Sequence, residues 1–182
     1  KRSNCDLFQD FHKINGVDCV DIQNYTPVFD RFFSLNSTNY NSINLKHKYN
    51  VDRIFKSVDD SSNLYKCSLN FTNTVGVSTK TNKNVFFKFA PLLDPFKYLT
   101  GKYMDIENSL YNLPTYDMAY NSKNVPNKLL DVNNSAYIDG LFTFLSSHLI
   151  HAHGFIHAVD FYGSFLANKK KFVLNVADDI EY

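Results

Sequence analysis

Apolar and polar residues alternate along Leu64-Tyr65-Lys66-Cys67-Ser68-Leu69, the period of a strand with one buried face. Val85-Phe86-Phe87-Lys88-Phe89-Ala90 is a second β-rich run. Asn73-Thr74-Val75-Gly76 and Lys80-Thr81-Asn82-Lys83-Asn84 read as polar turns, so residues 63–90 predict two or three antiparallel strands. From about Ser135 to His153 the period becomes helical. Tyr137, Ile138, Leu141, Phe142, Leu145 and Leu149 fall at helical spacing, and Phe144 and Ile150 widen the apolar face. Asn134 or Ser135 supplies the N-cap and Gly154 the C-cap, and a helix this apolar is expected to be covered on much of its surface. Phe155 to Leu166 and Lys171 to Val176 predict two more strands, with Asn168-Lys169-Lys170 as the turn between them.

The remaining segments are less patterned. Residues 1–60 are polar and broken, and predict an irregular arm or cap in which Tyr40 to Tyr49 holds a turn or a short strand. Residues 91–133 carry Pro91, Pro95, Gly101, Pro114, Pro126 and many Asn, which predicts a long connection with short helices at most. No internal repeat is visible. The order strand, strand, helix, strand, strand suits an α+β fold, an antiparallel sheet packed on one long helix, with residues 61–182 as its body.

A length of 182 residues is enough for one domain with a real core, and 44% hydrophobic against 20% charged residues excludes a disordered chain. The net charge of +1 provides no broad field for nucleic acid or membranes, so neither is an expected partner except through a local patch. The 22 Asn, and 16 Lys against 3 Arg, read as the mark of an A/T-rich genome, which makes an Asn or Lys cluster uninformative by itself. Three cysteines without a CxxC argue for reduced thiols and an intracellular setting. No run reaches the ~20 apolar residues of a membrane span, and no signal core precedes the chain. The N-x-S/T triplets at Asn24, Asn36, Asn70 and Asn133 are as frequent as chance predicts. Lys1 at one end and Asp179-Ile180-Glu181-Tyr182 at the other lead us to expect an internal piece of a longer polypeptide.

Three features could carry chemistry. His148, His151, His153 and His157 crowd ten residues, and 148 and 151 share a helix face that could hold a metal if Asp160 folded back. The plainer reading is a set of polar residues that complement the helix C-terminus, and no metal site is assigned. Lys88 lies in an aromatic strand, where a charge needs a carboxylate, a phosphate or water. Asp139 lies early on the apolar helix, where it could pair with a lysine from the sheet or complement the helix dipole. No Ser-His-Asp arrangement, GxGxxG or Walker loop is present.

Several runs are distinctive: Asn39-Tyr40-Asn41-Ser42-Ile43-Asn44-Leu45, Phe87-Lys88-Phe89-Ala90-Pro91-Leu92-Leu93-Asp94-Pro95, Gly101-Lys102-Tyr103, Asn133-Asn134-Ser135-Ala136-Tyr137-Ile138-Asp139-Gly140 and Asp160-Phe161-Tyr162-Gly163-Ser164-Phe165-Leu166. With them the chain resembles, over most of residues 25–182, the part before the catalytic loop in protein-kinase-like proteins of large nucleocytoplasmic DNA viruses. The resemblance implies a kinase-type small lobe in residues 61–182 with a long insertion at 91–133, and a large lobe absent from this chain. It implies ATP and Mg as cofactors, with Lys88 gripping phosphates, Asp139 orienting Lys88, and Glu181 and Tyr182 approaching the adenine hinge. The partners it implies are a nucleotide and a protein substrate, and its setting is the host cytoplasm or the virion. The pattern departs from kinases in having no glycine-rich loop before Lys88, Phe86 where a small residue is usual, and about 46 residues between Lys88 and the helix. The catalytic and metal-binding aspartates would lie outside this chain, so the piece is expected to be inactive on its own. The alternative is a non-catalytic, pseudokinase-like interaction module.

Overall fold

A computed structural model describes residues 4–45, 47–59, 62–73 and 75–174. The fold is α+β, with one three-stranded and one two-stranded antiparallel sheet. In the larger sheet β2 (Tyr49–Ser57), β3 (Leu64–Thr72) and β4 (Ser78–Phe86) form a meander with β3 central. Tyr65, Cys67 and Leu69 of β3 project from one face and are fully buried, together with Val51 and Ile54 of β2 and Val85 of β4. That alternation is the one read from the sequence.

The residues 80–84 expected as a turn are instead the middle of β4, paired from Lys80↔Asn70 to Asn84↔Lys66. Their polar side chains fit because β4 is an edge strand, exposed at every position but Val85, where Lys and Asn resist further pairing. The chain reverses between β3 and β4 at Asn73–Val77.

Residues 1–60 form more than an irregular arm. Helix α1 (Cys5–Lys13) lays Leu7 and Phe11 into the sheet's core, one turn apart. Its Asp10 is buried and accepts from Arg53 Nε at 2.8 Å, Arg53 Nη2 at 3.0 Å and the Ile54 amide at 2.9 Å. The register of β2 shifts around this point, between Val51 and Arg53 and again between Ile54 and Lys56. The bulge thus turns a strand N–H toward a helix carboxylate. Strand β1 (Cys19–Gln23) follows, after a turn in which Gly16 has φ 85°. A Cβ there would stand 2.9 Å from the Tyr65 hydroxyl, so the position requires glycine.

The two-stranded sheet pairs β1 with β5 (Leu166–Lys169). The expected strand from Phe155 is therefore confined to its last residue, and its partner comes from the N-terminal segment. The expected turn at 168–170 falls largely within β5. The backbone of Phe155–Phe165 bonds elsewhere: Phe161 N–H donates to Ser147 Oγ, and the Tyr162 carbonyl accepts from Val51 N–H. Residues 171–174 have no regular structure, and the rest of the strand expected to Val176 lies outside the described residues.

The long helix, α5 (Ser135–His153), has the predicted ends. The Asn134 side chain caps Ala136 N–H, and Gly154 closes it in the left-handed conformation with φ 65°. The element laid on the larger sheet is α1; α5 meets that sheet's rim, where His151 lies beside Tyr49. Its core partners are a 3-10 turn (Pro27–Arg31) and β5, through Val28, Phe29, Tyr137 and Leu166. Residues 91–133 wrap this region with short helices α2 (Pro95–Leu99), α3 (Met118–Asn124) and α4 (Asn127–Leu130) and a 3-10 turn (Met104–Ser109). The expected cover over α5 is partial. Ile138, Phe142, Leu145 and Leu149 remain 40–68% exposed as a stripe along one side. No helix among the described residues is long and apolar enough to cross a membrane.

Candidate functional site

A cleft of about 1040 Å3 separates the end of β4 and residues 87–95 from the first half of α5 and residues 159–170. Its position follows from side-chain alternation beyond β4. Phe87 turns inward, its ring 4.9 Å from Tyr65 and 6.0 Å from Phe11, and Phe89 packs partly buried against the same core. Lys88, between them, faces the opposite way. Its ammonium reaches Asp139 Oδ1 and Oδ2, both at 2.9 Å, on the facing wall of the cleft. Lys88 lies two residues beyond the strand, not inside it.

The structure thus joins two candidates that stand 51 residues apart in sequence. The pair is wet, with side-chain exposures of 65% and 44%, so it contributes about 0–1 kcal/mol to stability. A phosphate entering the cleft can compete for Lys88 at small cost. Glu181 and Tyr182, the expected hinge residues, lie outside the described residues.

A second charged pair borders the cleft. His151 Nε2 is 2.5 Å from Asp160 Oδ1, and Tyr162 also bonds to Asp160. Burial, helped by that carboxylate, pushes the Tyr162 phenol above its ordinary pKa. Asp160 does fold back on His151, as the metal-site reading required. Yet no three His, Cys, Asp or Glu side chains converge among the described residues as a metal would need. His148 turns to the ring of Phe144 and His157 to that of Phe155.

Lys169, read in the sequence as a turn residue, is a third cation of the cleft. It donates to the carbonyls of Gly16 and Val17 and sits 4.0 Å over the ring of Phe89. Partial burial lowers its pKa. These contacts commit it to holding the β1 turn against the cleft, and a lysine in a polar triplet gave no signal of that.

The cleft has room for a nucleotide, since small-molecule sites run to ~300–1,000 Å3, and Lys88 can meet a phosphate. The hairpin tip above it offers little more. Asn73 Oδ1 already accepts the amides of Val75 and Val77, and the Asn73 carbonyl accepts that of Gly76. Amides that would cradle phosphates are therefore in use. The described residues supply Lys88 for ATP but no carboxylate group for Mg.

Comparison with known protein families, with curated proteins and with solved structures finds no match to this chain. The functional reading rests on the residues themselves.

Proposed function

We propose that this chain is the nucleotide-binding portion of a divergent viral serine/threonine-protein-kinase-like protein, inactive on its own. The observation that carries the reading is the Lys88–Asp139 ion pair across a nucleotide-sized cleft. In this reading Lys88 holds ATP phosphates and Asp139 orients it. The general base and Mg ligands of phosphoryl transfer would come from residues outside the chain.

Titration calorimetry with ADP and ATP, with and without Mg, tests it. Wild-type chain binds, and Lys88→Met weakens binding by roughly tenfold or more, the worth of one charge-assisted hydrogen bond to phosphate. Asp139→Asn weakens it less. Absence of binding at millimolar nucleotide, or equal binding by all three proteins, would overturn the reading. A second reading, a non-catalytic interaction module, is favoured by the hairpin amides that Asn73 occupies, and it stands if nucleotide binding is absent.

A further inference from the structure

The outer face of the larger sheet, turned away from its core, collects charge that the net value of +1 conceals. Strands β2, β3 and β4 carry five cations, Arg53, Lys56, Lys66, Lys80 and Lys83, against one acid, Asp52. Arg53 is committed to Asp10, Lys80 is bridged to Asp52 at 2.6 Å, and Lys83 lies 5.4 Å over the ring of Tyr49. Lys56 and Lys66 are different. They are register partners on adjacent strands, both exposed, and no carboxylate lies within ion-pair distance of either among the described residues. Like charges directly opposed across a ladder destabilise it, and an anion seated between the two ammonium groups would remove that repulsion.

The same face shows aromatic rings. Phe86 is 62% exposed and pairs with Leu64, one step along the outer face from Lys66↔Asn84. Phe55, the extra residue of the β2 bulge beside Lys56, is 47% exposed. Asn82 and Asn84, also exposed, offer amides with both donor and acceptor character. Stacking rings, ammonium groups and amides on an open sheet are what an unpaired nucleic-acid strand needs, with bases on the rings and phosphates on the lysines. A lipid surface would need a broader apolar patch, and an acidic peptide would leave both rings without a partner.

We propose that the outer face of β2–β4 binds single-stranded nucleic acid, with Phe86 and Phe55 stacking bases and Lys56 and Lys66 holding the phosphate between them. This corrects the expectation, drawn from net charge, that nucleic acid is no partner, and it is independent of the kinase-like reading.

The test is fluorescence anisotropy of a labelled oligo(dT) 12-mer over a salt series with the full 182-residue chain. Binding is expected at low salt. Phe86→Ala or Phe55→Ala should weaken it about fivefold or more. Lys56→Gln/Lys66→Gln should weaken it and flatten the salt slope by roughly 1.4, from about 0.7 per lost phosphate contact on a single strand. Urea unfolding of that double variant separates a ligand role from a structural one, because relieving the repulsion should leave the fold as stable or slightly more stable. Absence of binding at low salt overturns the proposal. So does binding that heparin competes away at equal charge with no loss in the Phe variants, which marks a general polyanion surface. Attachment to anionic vesicles without oligonucleotide binding overturns it as well.

Discussion

Two apolar clusters hold this chain together, and different chemistry closes each. Around the larger sheet, Leu7, Phe11, Ile54, Cys67 and Leu69 are at most 5% exposed, and the one buried charge, Asp10, has three donors. Around α5 the cluster is smaller, with Val28, Phe29, Tyr137 and Leu166 buried, and asparagines complete it. Asn134, 1% exposed, caps α5 and donates to the carbonyls of Leu92 and Lys128, pinning both ends of the 91–133 connection to the helix start. Asn121, equally buried, bonds both the amide and the carbonyl of Thr115. A sheet pairs its own backbone, whereas a long irregular connection must find side chains for its amides and carbonyls. Short carboxamides, each both donor and acceptor, are the economical solution.

The sharpest break in the sheet body is Asp10→Ala. It leaves the Ile54 amide without its acceptor and takes the carboxylate from Arg53, so a loss of about 3 kcal/mol is expected. Urea unfolding should show it as a lower midpoint at unchanged slope. A loss under about 1 kcal/mol would mean that α1 is held by Leu7 and Phe11 alone.

The matching break in the helix region is Asn134→Ala. It removes the cap and two buried partners at once, and a loss of about 2 kcal/mol is expected. If the two regions differ as described, limited proteolysis of this variant cuts within 91–133 before it cuts β2–β4. Simultaneous cutting would show that the clusters unfold as one unit.

This contrast explains what the sequence made legible. Strand β3 and helix α5 could be read to within a few residues because their apolar periods and caps are local signals. Lys88 and Asp139 could be paired because a charge in an apolar run demands a partner. Strand β4 was hidden because an edge strand exposed on both faces carries no alternation. The β1–β5 pairing was hidden because it joins segments nearly 150 residues apart through two short strands with a register shift. The stripe Ile138-Phe142-Leu145-Leu149 has the period of a buried face yet is exposed, so periodicity gave the helix and not its cover. Asparagine frequency was read as composition alone. It carried no positional information, although Asn4, Asn24, Asn121 and Asn134 are all buried in hydrogen-bonded positions.

Alkaline pH offers the gentlest comparison of the two regions, because each buries a different titrating group. In the sheet body, burial pushes the Cys67 thiol from an ordinary value of 9.0 up to about 12, and raises Cys19 as well. In the helix region, burial raises the Tyr137 phenol above its ordinary 10.0. In both cases the folded state holds its proton more tightly than the unfolded chain. The stabilisation is therefore fully present below the unfolded value and is lost as pH rises above it. Thiols begin to cost stability near pH 9, and the tyrosine begins about one pH unit later, each by up to about 1.4 kcal/mol per pH unit. Urea midpoints at pH 8, 9, 10 and 10.5 should fall progressively for the wild type. Cys67→Val should flatten the fall from pH 9 to 10, whatever its effect at pH 8, while Tyr137→Phe should flatten only the part above pH 10. Identical slopes for all three proteins would mean that neither group is buried as described.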